Sequence, residues 1–350
     1  MLNDTLKKRL ENIYTSGNPL EADNIFSDIA VVPGISISNG EVIKPLECLN
    51  KYKSLLEEIY SWNQEIYFSL HKGTPFYFCG IFSFYLGAYD SAVFYFDTAF
   101  SEDIKNKPEK DAFHWTNSAA YGFYRLDEKY GNIIVTVPVE RIRKLMIPLF
   151  KEFDIELGLN NKFKLDDLIS NFVIKKIKEK EYRSIIAGLY LFIVESQQRM
   201  SQLKLRSNRG GTIEPYISHL SKGCLIFETL LRQIYSSHYS SEGIEKIMND
   251  PFIKRELGYC EKIPKNIQNK DLINYVSGVR KTLQDIIIHL LPNFKKDKIE
   301  NINKWFTITY ALRNVTTHNI SWPDVFTANN YEELYKSVLF SIFYLIYRKF

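Results

Sequence analysis

The chain has 350 residues and a formal net charge of +4, which is long enough for two domains with their own cores and too mildly basic to argue for wholesale polyanion binding. Its 23 Tyr and 24 Phe predict bulky cores and little disorder. The four cysteines (Cys48, Cys79, Cys224, Cys260) contain no Cys-x-x-Cys pair, which speaks against zinc or a disulfide framework and for free thiols in a reducing cytoplasm.

The N-terminus, MLNDTLKKRLEN, lacks the apolar core of a signal peptide. The longest apolar runs, Ile185–Val194 and Val338–Tyr347, fall short of the roughly 20 residues a bilayer requires. The expectation is a soluble, cytoplasmic protein with no membrane partner. Within the first 45 residues, Gly17, Pro19, Pro33, Gly34, Gly40 and Pro45 read as an irregular arm packed on the first domain. Strand-like stretches are confined to Ile29–Ile37 and Ile133–Val137. Helical periodicity dominates from about residue 46 onward.

Between Gly73 and Asn106, Gly80 and Gly87 are followed by Tyr89, Ala92, Phe96 and Ala99. The small residues let two antiparallel helices approach while the aromatic rings fill the space beside them. This pattern resembles one tetratricopeptide repeat. A lone repeat cannot bury its own faces, so the helical patterns Glu47–Leu70 and Asp111–Tyr130 are expected to complete a small stack. Such a stack is either a scaffold or a module that senses a protein or small ligand.

Residues 138–180 read as a connector in which Pro138, Pro148, Gly158 and Asn160-Asn161 punctuate short helices. The charged run Lys175–Glu181 is expected to be a solvated helix face. The domain boundary is placed near residue 160, giving domains 1–160 and 161–350. Five helical patterns then follow: Tyr182–Lys204, Ile213–Ser236, Asp271–Leu290, Lys298–Val315 and Asn330–Arg348. The excursion Ser237–Lys270 has room for a short extra helix. This is the element order of an all-α, up-and-down bundle.

The fourth of these helices carries the most informative residues. Ile302, Trp305, Ile308, Leu312 and Val315 form an apolar stripe with Arg313 at its border. Val315-Thr316-Thr317 is poor helix interior, and Asn319 and Pro323 favour termination, so the helix is expected to end between Arg313 and His318. An always-charged guanidinium and a titratable imidazole are what phosphodiester cleavage without a metal requires. No clustered carboxylates or His/Cys ligand spacings appear along the chain.

The run Arg313-Asn314-Val315-Thr316-Thr317-His318 resembles the Arg-x4–6-His signature of HEPN-domain ribonucleases, in which the residue after the Arg is often polar. The resemblance covers about residues 180–350 in architecture and little more than the motif in identity. It implies an RNA endonuclease needing no cofactor or metal, with the 2′-hydroxyl as nucleophile and a 2′,3′-cyclic phosphate and 5′-hydroxyl as products. Arg313 would grip the phosphate and His318 would shuttle the proton, while Asn314 orients one of these groups or a phosphate oxygen. Glu228 stands where relatives often carry an acidic residue; it either pairs with Arg313 or positions His318, or it forms an ordinary i,i+4 salt bridge with Arg232.

In that family two motifs meet across a two-fold axis, so the resemblance further implies a homodimer through the C-terminal domain. It also implies a toxin or phage-defence role gated by the N-terminal stack. Lys222, Arg206, Arg209 and Arg232 are basic residues that could guide RNA. His71, His114, His219, His238 and His289 read as packing or surface residues. Two other readings compete with the nuclease: a non-catalytic adaptor that binds protein or nucleotide, and a scaffold in which Arg313 and His318 cap a helix.

Overall fold

The computed structural model describes residues 2–30, 35–36, 41–42, 44–107, 114–127, 133–206, 212–235, 244–258, 283–294, 298–315 and 326–350. The fold class is all-α. Among the described residues the sole sheet is a two-residue antiparallel pair, β1 (Ile35–Ser36) with β2 (Glu41–Val42).

The N-terminal arm departs from expectation, because it is helical. Asn3 caps α1 (Asp4–Ser16) by accepting the Leu6 amide at 2.9 Å, and Gly17 closes it in the left-handed conformation, φ 67°. Pro19 opens a 3-10 turn that leads into α2 (Ala22–Ala30). The glycine and proline that read as loop therefore delimit helices. Leu10, Ile13, Ala22, Ile25 and Phe26 pack against Leu55, Leu56 and Ile59 of α3 (Pro45–Trp62) and Ile66 of α4 (Gln64–Ser69). The expected strand over Ile29–Ile37 is likewise corrected: Ile29 and Ala30 end α2, and of the remainder only Ile35–Ser36 is described.

The hairpin of α5 (Gly73–Tyr85) and α6 (Tyr89–Asn106) follows the small–large pattern of its sequence. A Cβ at Gly80 would lie 2.8 Å from the Phe96 ring, and Gly87 makes the turn at φ 74°. Phe96 stacks in turn on Phe123 of α7 (Ala119–Tyr124) at 4.0 Å. The helix expected over Asp111–Tyr130 is shorter than its pattern, with a 3-10 turn at Trp115–Asn117 and only six residues in α7.

The contacts divide the chain between Lys144 and Leu145, inside α8 (Ile133–Leu157). That helix replaces both the expected strand at Ile133–Val137 and much of the expected connector. Buried Val139, Ile142, Met146, Phe150, Phe153 and Leu157 recur every three or four residues. This burial outweighs the roughly 3 kcal/mol cost of a proline inside a helix, so Pro138 and Pro148 are accommodated. Gly158 then ends the run at φ 59°. After α9 (Leu165–Leu168), a π turn and α10 (Ile174–Lys176), the charged run Lys175–Glu181 is exposed at Lys175 and Lys178–Glu181 but half-buried at Lys176 and buried at Ile177, so it is solvated only in part.

The second unit, Leu145–Phe350, centres on α11 (Lys180–Leu205) and α12 (Glu214–Ile234). Short helices α13 (Ile244–Asn249), α14 (Pro251–Leu257) and α15 (Leu283–Asp285) lead to the long α16 (Lys298–Val315) and α17 (Ala328–Lys349). The pattern Asp271–Leu290 lies outside the described residues as far as position 282. Helices α12 and α17 pack on each other and on both α11 and α16.

Helix α16 is less amphipathic than its stripe predicts. Nearly every side chain described on it is buried, including Asn301, Asn303, Thr307 and Thr309; only Lys304, Arg313 and Asn314 are half-exposed. Position in the bundle overrides the polar spelling, and two of these side chains have partners across the bundle: Asn301 Nδ2 donates to the Glu156 carbonyl (3.0 Å), and Thr309 Oγ1 lies 3.0 Å from Ser341 Oγ. No helix among the described residues is long and apolar enough to cross a membrane.

Candidate functional site

Helix α16 enters the bundle through apolar surroundings and brings Arg313 and Asn314 out of them near Val315, its last described residue. Arg313 keeps 40% of its side-chain surface exposed. Its Nε donates to Glu228 Oε2 at 3.1 Å and its Nη1 to Asn314 Oδ1 at 3.2 Å. Glu228 reaches it from α12, where the carboxylate is almost wholly buried.

The other carboxylate oxygen of Glu228 accepts Nε and Nη2 of Arg232 at 3.1 and 2.8 Å. Sequence reading offered Arg313 and Arg232 as alternative partners, yet one carboxylate holds both. Burial alone would raise the Glu228 carboxyl, but the two guanidiniums outweigh it and hold the group below the usual glutamate range. One buried carboxylate thus holds two guanidiniums through charge-assisted hydrogen bonds. Beneath them lies Cys224, fully buried and donating to the Thr309 carbonyl at 3.5 Å; burial pushes its thiol upward, so it is not poised as a nucleophile.

Arg313, Asn314 and Glu228 are therefore brought together. His318 and its neighbours 316–325 lie outside the described residues, as do Arg209 and His238. Lys222 pairs with the buried Glu195 at 3.2 Å. His219 is fully buried: Nε2 donates to the Phe192 carbonyl at 2.8 Å and Nδ1 accepts from the Tyr331 hydroxyl at 2.9 Å. Burial drives this imidazole down to about 3, and it acts as a neutral core residue. His114 caps the 3-10 turn at Trp115.

A cleft of about 920 Å³ opens in the same unit among α8, α16 and α17. Its walls carry Glu152, Glu156, Glu332 and Glu333 against Lys304 and Lys336. Lys336 is already held by Glu152 at 2.7 Å and by Glu332 at 2.8 Å. An excess of carboxylates repels polyanions, so size alone does not make this cleft an anion site. No signal in the sequence brought these four glutamates together, because α8 and α17 are far apart in the chain.

Comparison with family models, with curated proteins and with solved structures finds no match to this chain.

Proposed function

We propose that the C-terminal unit is a HEPN-type RNA endonuclease that works without a metal, with a tetratricopeptide-like stack in the N-terminal unit as its regulator. The observation that carries the reading is the half-exposed Arg313, held by a buried carboxylate at the end of a bundle helix and five residues before His318. A guanidinium fixed through Nε still presents its remaining N–H groups to a phosphate, and it stabilises the extra charge of the pentacovalent stage. His318 takes the 2′-hydroxyl proton or returns one to the departing 5′-oxygen, and Asn314 helps to orient the pair. One imidazole per chain leaves one proton role unfilled. A two-fold dimer through the C-terminal unit supplies the second. A toxin or phage-defence effector is the biological setting that this activity fits.

The test is cleavage of total RNA by the purified protein in EDTA, with end-group analysis for the cyclic phosphate. Arg313→Ala and His318→Ala are each expected to abolish it, and light scattering is expected to give a dimer. Cleavage that survives either substitution overturns the reading. The second reading, a non-catalytic adaptor for protein or nucleotide, draws on the fact that two Arg313 nitrogens are already engaged within the chain. It is preferred if no RNA is cut and both variants are merely less stable.

A further inference from the structure

His71 has no exposed side-chain surface, and carboxylates face both of its ring nitrogens. Nδ1 lies 2.6 Å from Asp23 Oδ1 on α2, and Nε2 lies 2.9 Å from Asp103 Oδ1 on α6. An ionised carboxylate only accepts, so both nitrogens must carry hydrogen and the ring is an imidazolium. Each carboxylate also meets a further donor. Asp103 faces Lys107 Nζ at 3.0 Å, while Asp23 also accepts the Thr74 hydroxyl of α5 at 3.0 Å and lies 3.8 Å from Lys107.

The neighbouring charges satisfy one another. Glu102 of α6 accepts the Lys72 amide at 3.2 Å and lies 3.5 Å from Lys72 Nζ, which itself donates to the carbonyls of Tyr67 and Leu70. Position 73 completes the arrangement. A Cβ on Gly73 would fall 2.6 Å from His71 Cε1 and 2.7 Å from Asp103 Oδ1, so ring and carboxylate meet because no side chain stands there.

We propose that His71 is a proton-held latch that fastens helix α2 to helix α6, and that loss of its proton on the alkaline side loosens the N-terminal helical pair. Once one nitrogen is bare, it presents a lone pair to a carboxylate. Asp103 keeps Lys107 and stays 6% exposed, whereas Asp23 is 25% exposed and can turn to water, taking α2 with it. The surface then uncovered is apolar: Leu55, Leu56, Ile59 and Ile66.

The sign follows from linkage. Burial disfavours the charged ring, but the two carboxylates outweigh it and raise its pKa above the ordinary value of about 6.5. The latch is therefore fully closed below that value. It weakens by up to tenfold per pH unit between the ordinary and the raised pKa, and then levels off.

The experiment uses the full chain with labelled histidine, reading ring-nitrogen chemical shifts together with hydrogen exchange of α2 amides normalised to their intrinsic rates. At pH 6 both His71 nitrogens should be protonated, and α2 protection should fall across the window above about 6.5. His71→Gln should make α2 weakly protected and insensitive to pH in that window. Asp23→Asn, at a partly exposed position that leaves the core intact, should lower the His71 midpoint. A single neutral tautomer at pH 6, or α2 protection whose pH dependence is unchanged in Asp23→Asn, would overturn the latch.

Discussion

Replacing Glu228 with glutamine isolates the carboxylate that holds the candidate site. The carboxylate accepts two hydrogen bonds from Arg232 on one oxygen and one from Arg313 on the other. An amide offers one oxygen and turns its NH2 toward the second guanidinium, so at least one charge-assisted bond is lost. Such bonds contribute about 1.5–3 kcal/mol. Arg232 and Arg313 keep 33% and 40% of their side-chain surface and can recruit water, which favours the lower end, about 1.5–2 kcal/mol. At roughly 2–4 °C per kcal/mol, the C-terminal transition should fall by about 5 °C. Because the folded-state pKa of Glu228 is depressed, its contribution is present above the unfolded value and lost as pH falls through the folded one. The gap between wild type and Glu228→Gln, measured by urea denaturation followed by circular dichroism, should be full at pH 7 and narrow progressively as pH falls below about 4. A variant with wild-type stability at pH 7, or a gap that persists undiminished in acid, refutes the anchoring argument.

Gly223→Ala should destabilise the same unit by about 1–3 kcal/mol, since its Cβ would fall 2.5 Å from Phe192 Cζ and 2.7 Å from Val338 Cγ1, both buried; a melting curve matching wild type would show that the helices can part at no cost. For His219, whose folded pKa is about 3 against an unfolded value near 6.5, the unfolded chain binds the extra proton between those limits. The C-terminal unit should lose stability as pH falls through that range while the ring itself stays neutral. A protonated His219 in the folded protein at pH 5 would contradict this.

Much of the helical layout was legible because burial and periodicity agree there. The α5–α6 hairpin declares itself through Gly80, Ala92, Phe96 and Ala99, and α11, α12 and α17 begin and end close to their patterns. Reading failed where a local signal had two meanings. Gly17 and Pro19 mark helix ends as readily as loops, and β-branched Ile133–Val137 reads as strand until the buried positions beyond it are counted in the same helix. Glu228 was visible as a partner of Arg232 because both lie on one helix. Its bond to Arg313, and the bonds of His71 to Asp23 and Asp103, join elements distant in the chain, and no spacing rule encodes them.

The buried hydroxyls of Thr309 and Ser341 bear on how accurately Arg313 is placed. Two greasy helices can ratchet past each other by one turn, about 5.4 Å, and find nearly equivalent packing. Such a slip of α16 against α17 would break the hydroxyl pair and cost Thr309 its partners on α17 in a dry interior, at about 1–3 kcal/mol, while Ser341 keeps the Ser337 carbonyl of its own helix. The pair thus works as a key in a keyway, indexing the axial position of a guanidinium one turn above it. A purely aliphatic seam would lose that indexing even if it gained stability.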